Sequence, residues 1–312
     1  MTTPTVDSLR AQSPTADHIP QTVAEHRARL KKAQVEGGHI AYVDEGPRDG
    51  EPVVLLHGMP TNSWLWRKVI PHLTVANLRV IAPDLLGWGA SDKPADLSEY
   101  TLDKQSRRVT ALLDKIGVDK ATLVVHDLGG PWAWEIVDRA PGRVARLVIL
   151  NTSAYTDGFQ PPAMIKMMMS PLGPMMLSMM SGKLMGPMMM ASFIKEFTGH
   201  PEVINSAAAE GYWLPMNEGA TRPFQQFVSN FDFVFAQMPR WQAALKRLNV
   251  PATILWGKKD PVLNHAKIPV QFARDLRVPP ERVHILADAN HFLAEDKAQE
   301  VAERVIRFVQ ET

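Results

Sequence analysis

The chain has no cysteine, which excludes disulfides, thiolate metal sites and a cysteine nucleophile, and fits a reducing cytoplasm. It has no surplus of either charge: 34 basic residues meet 33 acidic ones, so no net field draws in nucleic acid or an anionic membrane. No run of about 18 uncharged apolar residues is present, so neither a bilayer span nor stable membrane insertion is expected. Residues 1–34 are polar, contain Pro4, Pro14 and Pro20 and lack the apolar stretch of a secretory signal peptide. They read as an N-terminal arm, with a short helix over 22–32. The histidines lack metal-ligand spacing and no phosphate-binding glycine motif follows a first strand, so no metal or organic cofactor is expected.

What is present is a chain of 312 residues, 45% hydrophobic, enough for one large domain or one domain with an insertion. An opening hairpin around Gly37-Gly38 is followed by strand-like apolar runs at 52–56, 78–82, 123–126 and 144–150. Helical spacing falls between them at 63–73, 101–116 and 130–139. This alternation predicts a mostly parallel, doubly wound α/β sheet covered on both faces. It stops from 152 to 247, where only helix-compatible segments broken by proline and glycine occur, and resumes with strands at 251–256 and 283–286 and helices at 268–276 and 297–309. The expected organisation is therefore the arm at 1–34, a core of 35–151 and 248–312, and a helical cap at 152–247.

The run Leu123-Val124-Val125-His126-Asp127-Leu128-Gly129-Gly130-Pro131 reads as strand, tight turn and helix with Asp127 at the apex. Small residues let such a turn pass close to its neighbours and thrust the apex side chain out above the sheet. Alone, the segment fits equally well an aspartate capping an ordinary helix. Asp260 and His291 also fall just past strand ends, the edge where open sheets bind ligands. Asp260 has its own plain reading as a turn former before Pro261, and His291 as a capped core histidine.

With the order acid, acid, histidine in place, the chain resembles the haloalkane dehalogenase and epoxide hydrolase branch of the α/β-hydrolase superfamily over residues 35–312. The segments that carry the resemblance are His57-Gly58-Met59-Pro60-Thr61-Asn62-Ser63-Trp64-Leu65-Trp66-Arg67, the glycine-rich stretch from Asp84 to Pro94, His126-Asp127, and Asn151. It implies that Asp127 attacks a saturated carbon to form an alkyl ester, and that His291, oriented by Asp260, activates the water that cleaves it. The backbone N–H groups of Met59 and Leu128 would form the oxyanion hole.

The branch divides by leaving group. Halide-holding members place a tryptophan after the nucleophile and a donor after the His-Gly pair, where this chain has Leu128 and Met59, neither of which donates from its side chain. Trp213 is the candidate replacement. Epoxide hydrolases need lid acids, and with four tyrosines in all the candidates are Tyr155 and Tyr212, with His200 as a further one. An epoxide is preferred at this stage, since a relocated acid replaces a missing one more readily than two halide donors are replaced; a haloalkane, or a β-lactone or ester, is the alternative, and a non-catalytic binder of apolar ligands the outside class. Twelve of the 16 methionines lie from Met164 to Met190, a flexible, polarisable set in which Met175 and Met176, with Trp213, are expected at the pocket of an apolar, bulky substrate. Proline and glycine interruptions and few flanking positive charges argue against a membrane-contacting cap. The expected partners are thus a small apolar organic molecule and water; oligomeric state is left open.

Overall fold

The computed structural model describes residues 19–312, so the first 18 residues of the expected arm lie outside the described residues. The remainder of that arm is not loose. Helix α1 (Val23–Arg29), capped by the Thr22 side chain, runs into strand β1 (Lys31–Val35), of which only Val35 is buried. A lysine-bearing edge strand has no apolar alternation to betray it. It pairs antiparallel with β2 (Gly38–Glu45) through a tight turn in which Gly37 takes a left-handed φ of 84°.

After β3 (Glu51–Leu56) the expected helix over 63–73 is broken. A single turn at Ser63–Trp66, capped by Asn62, precedes α2 (Ile70–Val75), and Pro71 lacks the N–H that a continuous helix would need. Then follow β4 (Leu78–Pro83), α3 (Leu102–Lys115), β5 (Ala121–His126), α4 (Gly129–Arg139) and β6 (Val144–Leu150). Six helices come next: α5 (Ala163–Met168), α6 (Gly173–Ser181), α7 (Gly186–Glu196), α8 (Ser206–Pro215), α9 (Thr221–Val228) and α10 (Phe231–Arg247). The chain ends with β7 (Ala252–Gly257), α11 (Ile268–Leu276), β8 (Val283–Leu286), α12 (Leu293–Asp296) and α13 (Ala298–Glu311).

The eight strands form one sheet in the order β1-β2-β4-β3-β5-β6-β7-β8. All pairings from β4 onward along that order are parallel, as near-continuous burial of β3, β5 and β7 requires. The chain leaves β3 for β4 on one side and then crosses to β5 on the other. That reversal opens a crevice at the carboxyl ends of β3 and β5, which Met59 and Asp127 follow.

A buried ionic cluster ties the six-helix insertion to this edge. Arg67 pairs with Glu295 through both guanidinium nitrogens, Lys68 Nζ donates to Glu295 Oε2 at 2.8 Å, and Tyr212 of α8 donates to Oε1 at 2.5 Å. Burial disfavours the Glu295 carboxylate, but Arg67 and Lys68 hold its pKa below the usual value. Glu295→Ala would leave the Arg67 charge buried without a partner, so unfolding by denaturant is expected to show a loss of about 3–5 kcal/mol. A loss under about 1 kcal/mol would mean the cluster contributes no more than a surface pair.

Candidate active site

Asp127 sits at the turn between β5 and α4 with φ 51°, a strained left-handed conformation for a residue with a side chain. The neighbours hold it there. A Cβ on Gly129 would lie 2.3 Å from the Leu56 carbonyl oxygen, one on Gly130 1.9 Å from Thr152 Oγ1, and one on Gly58 2.2 Å from Asp127 Oδ1. Thr152 Oγ1 donates to the Asp127 carbonyl at 2.5 Å, and the Asp127 N–H donates to the Asn151 carbonyl at 3.1 Å.

The carboxylate faces the start of α4, where helix N–H groups and the dipole favour negative charge. The Met59 N–H donates to Asp127 Oδ1 at 2.6 Å. The Leu128 N–H belongs to the same helix start, and Met59 and Leu128 both line the adjoining cavity. His291 Nε2 stands 3.5 Å from Asp127 Oδ2, and Nδ1 stands 2.8 Å from Asp260 Oδ2. Asp260 accepts from Asn151 Nδ2 at 2.6 Å and from the Val262 and Leu263 N–H groups at 2.8 and 3.0 Å. The structure thus brings together the three residues expected to act in concert.

The charges follow from this packing. Burial alone would raise both carboxyl pKa values, but His291 and the hydrogen bonds around each keep Asp127 and Asp260 below the usual range. Burial alone would also lower His291. The Asp260 charge, with that of Asp127, outweighs it and lifts the imidazole to about 10. The resting site is therefore an imidazolium between two carboxylates. His126, buried beneath it, is lowered to about 4 by burial and by the His291 charge. It is neutral at pH 7, so its Nε2 carries the proton given to the His291 carbonyl at 2.9 Å. This support of the His291 segment had no sequence signal beyond the identity of His126.

A cavity opens above Asp127, ≈ 820 Å³ with the solvent at its mouth included. Phe159, Phe193, Phe197, Phe224, Phe227, Phe231, Phe235 and Phe292 form most of its wall, with Ile165, Val234, Met238, Val262 and Leu263. Among the described residues its polar side chains are Asp127, Thr152, Ser153 and His291. The Thr152 hydroxyl is spent on the Asp127 carbonyl and that of Ser153 on the Tyr155 carbonyl, at 2.7 Å.

The other expected residues lie elsewhere. Tyr155 donates to Asp275 Oδ2 at 3.1 Å, and Tyr212 is buried against Glu295. Burial and the carboxylate beside each push both phenols above their usual pKa, the wrong direction for a proton donor. His200 is held between Glu202 and Asp288 at 3.3 and 3.4 Å, away from the cavity wall. Trp213 packs its indole N–H against Gly186. Met175 is 60% exposed, and Met176 is buried outside the cavity. Along α10, Phe231 and Phe235 fall on the inner face at i, i+4 spacing, while Phe233 points out.

Comparison with known proteins agrees with this geometry. The sequence profile of the α/β-hydrolase fold family matches residues 51–298. A haloalkane dehalogenase of Mycolicibacterium paratuberculosis is 33% identical over 86% of this chain and 87% of its own. A cis-3-alkyl-4-alkyloxetan-2-one decarboxylase of Shewanella oneidensis is 32% identical over 88% of this chain and 86% of its own. Among solved structures, the tetrameric haloalkane dehalogenase DpaA of Paraglaciecola agarilytica superposes with a TM-score of 0.72 at 27% identity, covering 88% of this chain and 91% of that one.

Proposed function

The chain belongs to the α/β-hydrolase family, in its haloalkane dehalogenase branch, and from that premise we propose that it opens apolar β-lactones through a covalent ester on Asp127. The observation that carries this reading is that, among the described residues, the cavity offers a leaving group no donor side chain besides the His291 imidazolium, which two carboxylates hold in the resting site. Chloride or bromide shed into an apolar pocket loses its hydration without replacement. An epoxide's alkoxide is too basic to depart without an acid. A β-lactone attacked at its saturated ring carbon releases a carboxylate, which is weakly basic and leaves unaided. The epoxide preference drawn from sequence accordingly gives way to the lactone. The Shewanella relative is named for an oxetan-2-one, which is a β-lactone.

In the first half-reaction Asp127 Oδ2 bonds to the ring carbon as the C–O bond breaks toward the lactone oxygen. Esterification removes the Asp127 charge, one of the two holding the His291 proton, so the imidazolium can now release it to solvent. Neutral His291 takes a proton from water, whose oxygen attacks the Asp127 carboxyl carbon. The Met59 and Leu128 N–H groups receive the charge that develops on Oδ1, an effect of about 3 kcal/mol per donor. Collapse frees the β-hydroxy carboxylate, the alcohol oxygen taking the proton from His291, and the proton left on the Asp127 carboxyl passes to His291 to restore the imidazolium between two carboxylates.

Two measurements test this. A panel of a chloroalkane, a bromoalkane, a styrene-type epoxide and a dialkyl β-lactone is expected to give turnover of the lactone, with label from ¹⁸O-water entering the Asp127 carboxylate in a single turnover and the hydroxyl of the β-hydroxy acid over many. Halide release at a comparable rate would overturn the lactone assignment, and unlabelled alkene with carbon dioxide would replace hydrolysis by decarboxylation. The pH profile separates the half-reactions. Asp127 is ionised and His291 cationic in the free enzyme across neutrality, so kcat/KM is expected to be flat there. The ester requires neutral His291, so an acid limb is expected in kcat alone. An acid limb of equal depth in kcat/KM would contradict the assignment of His291 to the second step.

A further inference from the structure

The helices that wall the cavity carry a second, outward surface. Ile165 of α5 and Phe193 of α7 line the cavity, while on and between these elements Met167, Leu172, Met175, Met179, Leu184 and Met188 are exposed, Leu184 at 94% and Met188 at 64%. The segments α5, α6 and α7 pack on one another in sequence, so these side chains belong to neighbouring turns. Contiguous apolar exposure of this kind marks an interaction site. Its charge is one-sided: from residue 158 to residue 195 there is no acidic side chain, and Lys166, Lys183 and Lys195 are all exposed. The near-balance of the whole chain therefore hides a cationic, apolar patch on a body with a small acidic excess.

We propose that this face is an interfacial contact for an anionic lipid surface, from which apolar substrate passes into the cavity behind it. The expectation that this cap stays clear of membranes gives way on this face. The prolines and glycines that interrupt the segment exclude a spanning helix, and among the described residues no helix is long and apolar enough to cross a membrane. Neither bears on a contact that lies in the interface, where all three lysines are exposed. Lying in the interface needs only apolar side chains facing acyl chains and lysines at headgroup level. Flexible methionines suit a fluid partner better than a fixed one. A second copy of the chain fits less well, since a two-fold contact would set three lysines against their copies with only the exposed Glu196 beside Lys195 to answer them. The contact itself is independent of the leaving group, whereas the route for substrate rests on the apolar-substrate reading above.

Flotation of the full-length protein with phosphatidylcholine vesicles, with and without phosphatidylglycerol, tests the contact without reading turnover. Binding is expected to the anionic vesicles and to weaken with salt, each of K166A, K183A and K195A lowering the partition coefficient about fivefold. Leu184→Ser with Met188→Ser, both at exposed positions, is expected to lower it about tenfold or more with near-UV circular dichroism unchanged. Failure of the wild type to float with anionic vesicles overturns the proposal. So does a wild-type dimer in sedimentation equilibrium that the serine variant converts to monomer, which assigns the face to a second copy.

Discussion

Asp127→Asn is expected to abolish turnover, lowering kcat by on the order of 10⁴-fold or more, because it removes the nucleophile on which both half-reactions depend. The substitution is nearly isosteric, and the amide oxygen can still accept from the Met59 N–H that now donates to Oδ1. Structure should therefore survive, and the loss belongs to chemistry. One consequence reaches beyond the residue: without the second carboxylate, His291 loses one of the charges that raise it to about 10. An NMR titration should find its pKa lower in the variant. Residual turnover near the wild-type rate, with the near-UV spectrum intact, would mean that no ester forms on this side chain.

His291→Gln is expected to stop the reaction halfway. His291 is the largest of the groups that keep buried Asp127 ionised, but the Met59 N–H still donates to it in the variant, so lactone is still attacked, more slowly. Glutamine, by contrast, cannot deprotonate water, and general-base assistance is worth about 10²–10⁴-fold. Mixing the variant with a β-lactone should consume about one lactone per enzyme with little product released, because ring opening leaves the whole substrate attached to Asp127. Mass spectrometry should then find the whole lactone added to the peptide that carries Asp127. The same variant given a haloalkane or epoxide should show no adduct, because the failure there lies in the departure of the leaving group. No adduct with any substrate, in a folded variant, would remove the covalent route and leave a binder of apolar ligands.

How far the sequence reached can be judged from particular residues. Asp127, Asp260, His291, Met59 and Asn151 each follow a strand end, and strand ends are local signals: an apolar run that stops at a polar or small residue. Because a parallel sheet aligns all such ends on one edge, reading each in isolation was enough to place them together. The polar edge strand β1 carries no such signal over Lys31–Gln34, where the sequence reads as arm, and only the Gly37-Gly38 turn marks the hairpin that it forms with β2. Tyr155 and Tyr212 fared differently, since their partners Asp275 and Glu295 lie 120 and 83 residues away. No local pattern announces such a pairing, and it is that pairing which takes both phenols out of the chemistry.

The sequence by itself determined the sheet and the places of Asp127, Asp260 and His291 at its edge, since apolar periodicity and turn residues act over a few neighbouring positions. Only the tertiary structure decided what surrounds them. Met175 and Met176 are adjacent in the chain, yet one is exposed and the other buried, because each step along a helix turns the side chain through about 100°. Which face of each inserted helix looks into the cavity depends on how six helices seat against one another and on the core. That seating leaves a phenylalanine wall with no free donor above Asp127 and a row of methionines facing outward.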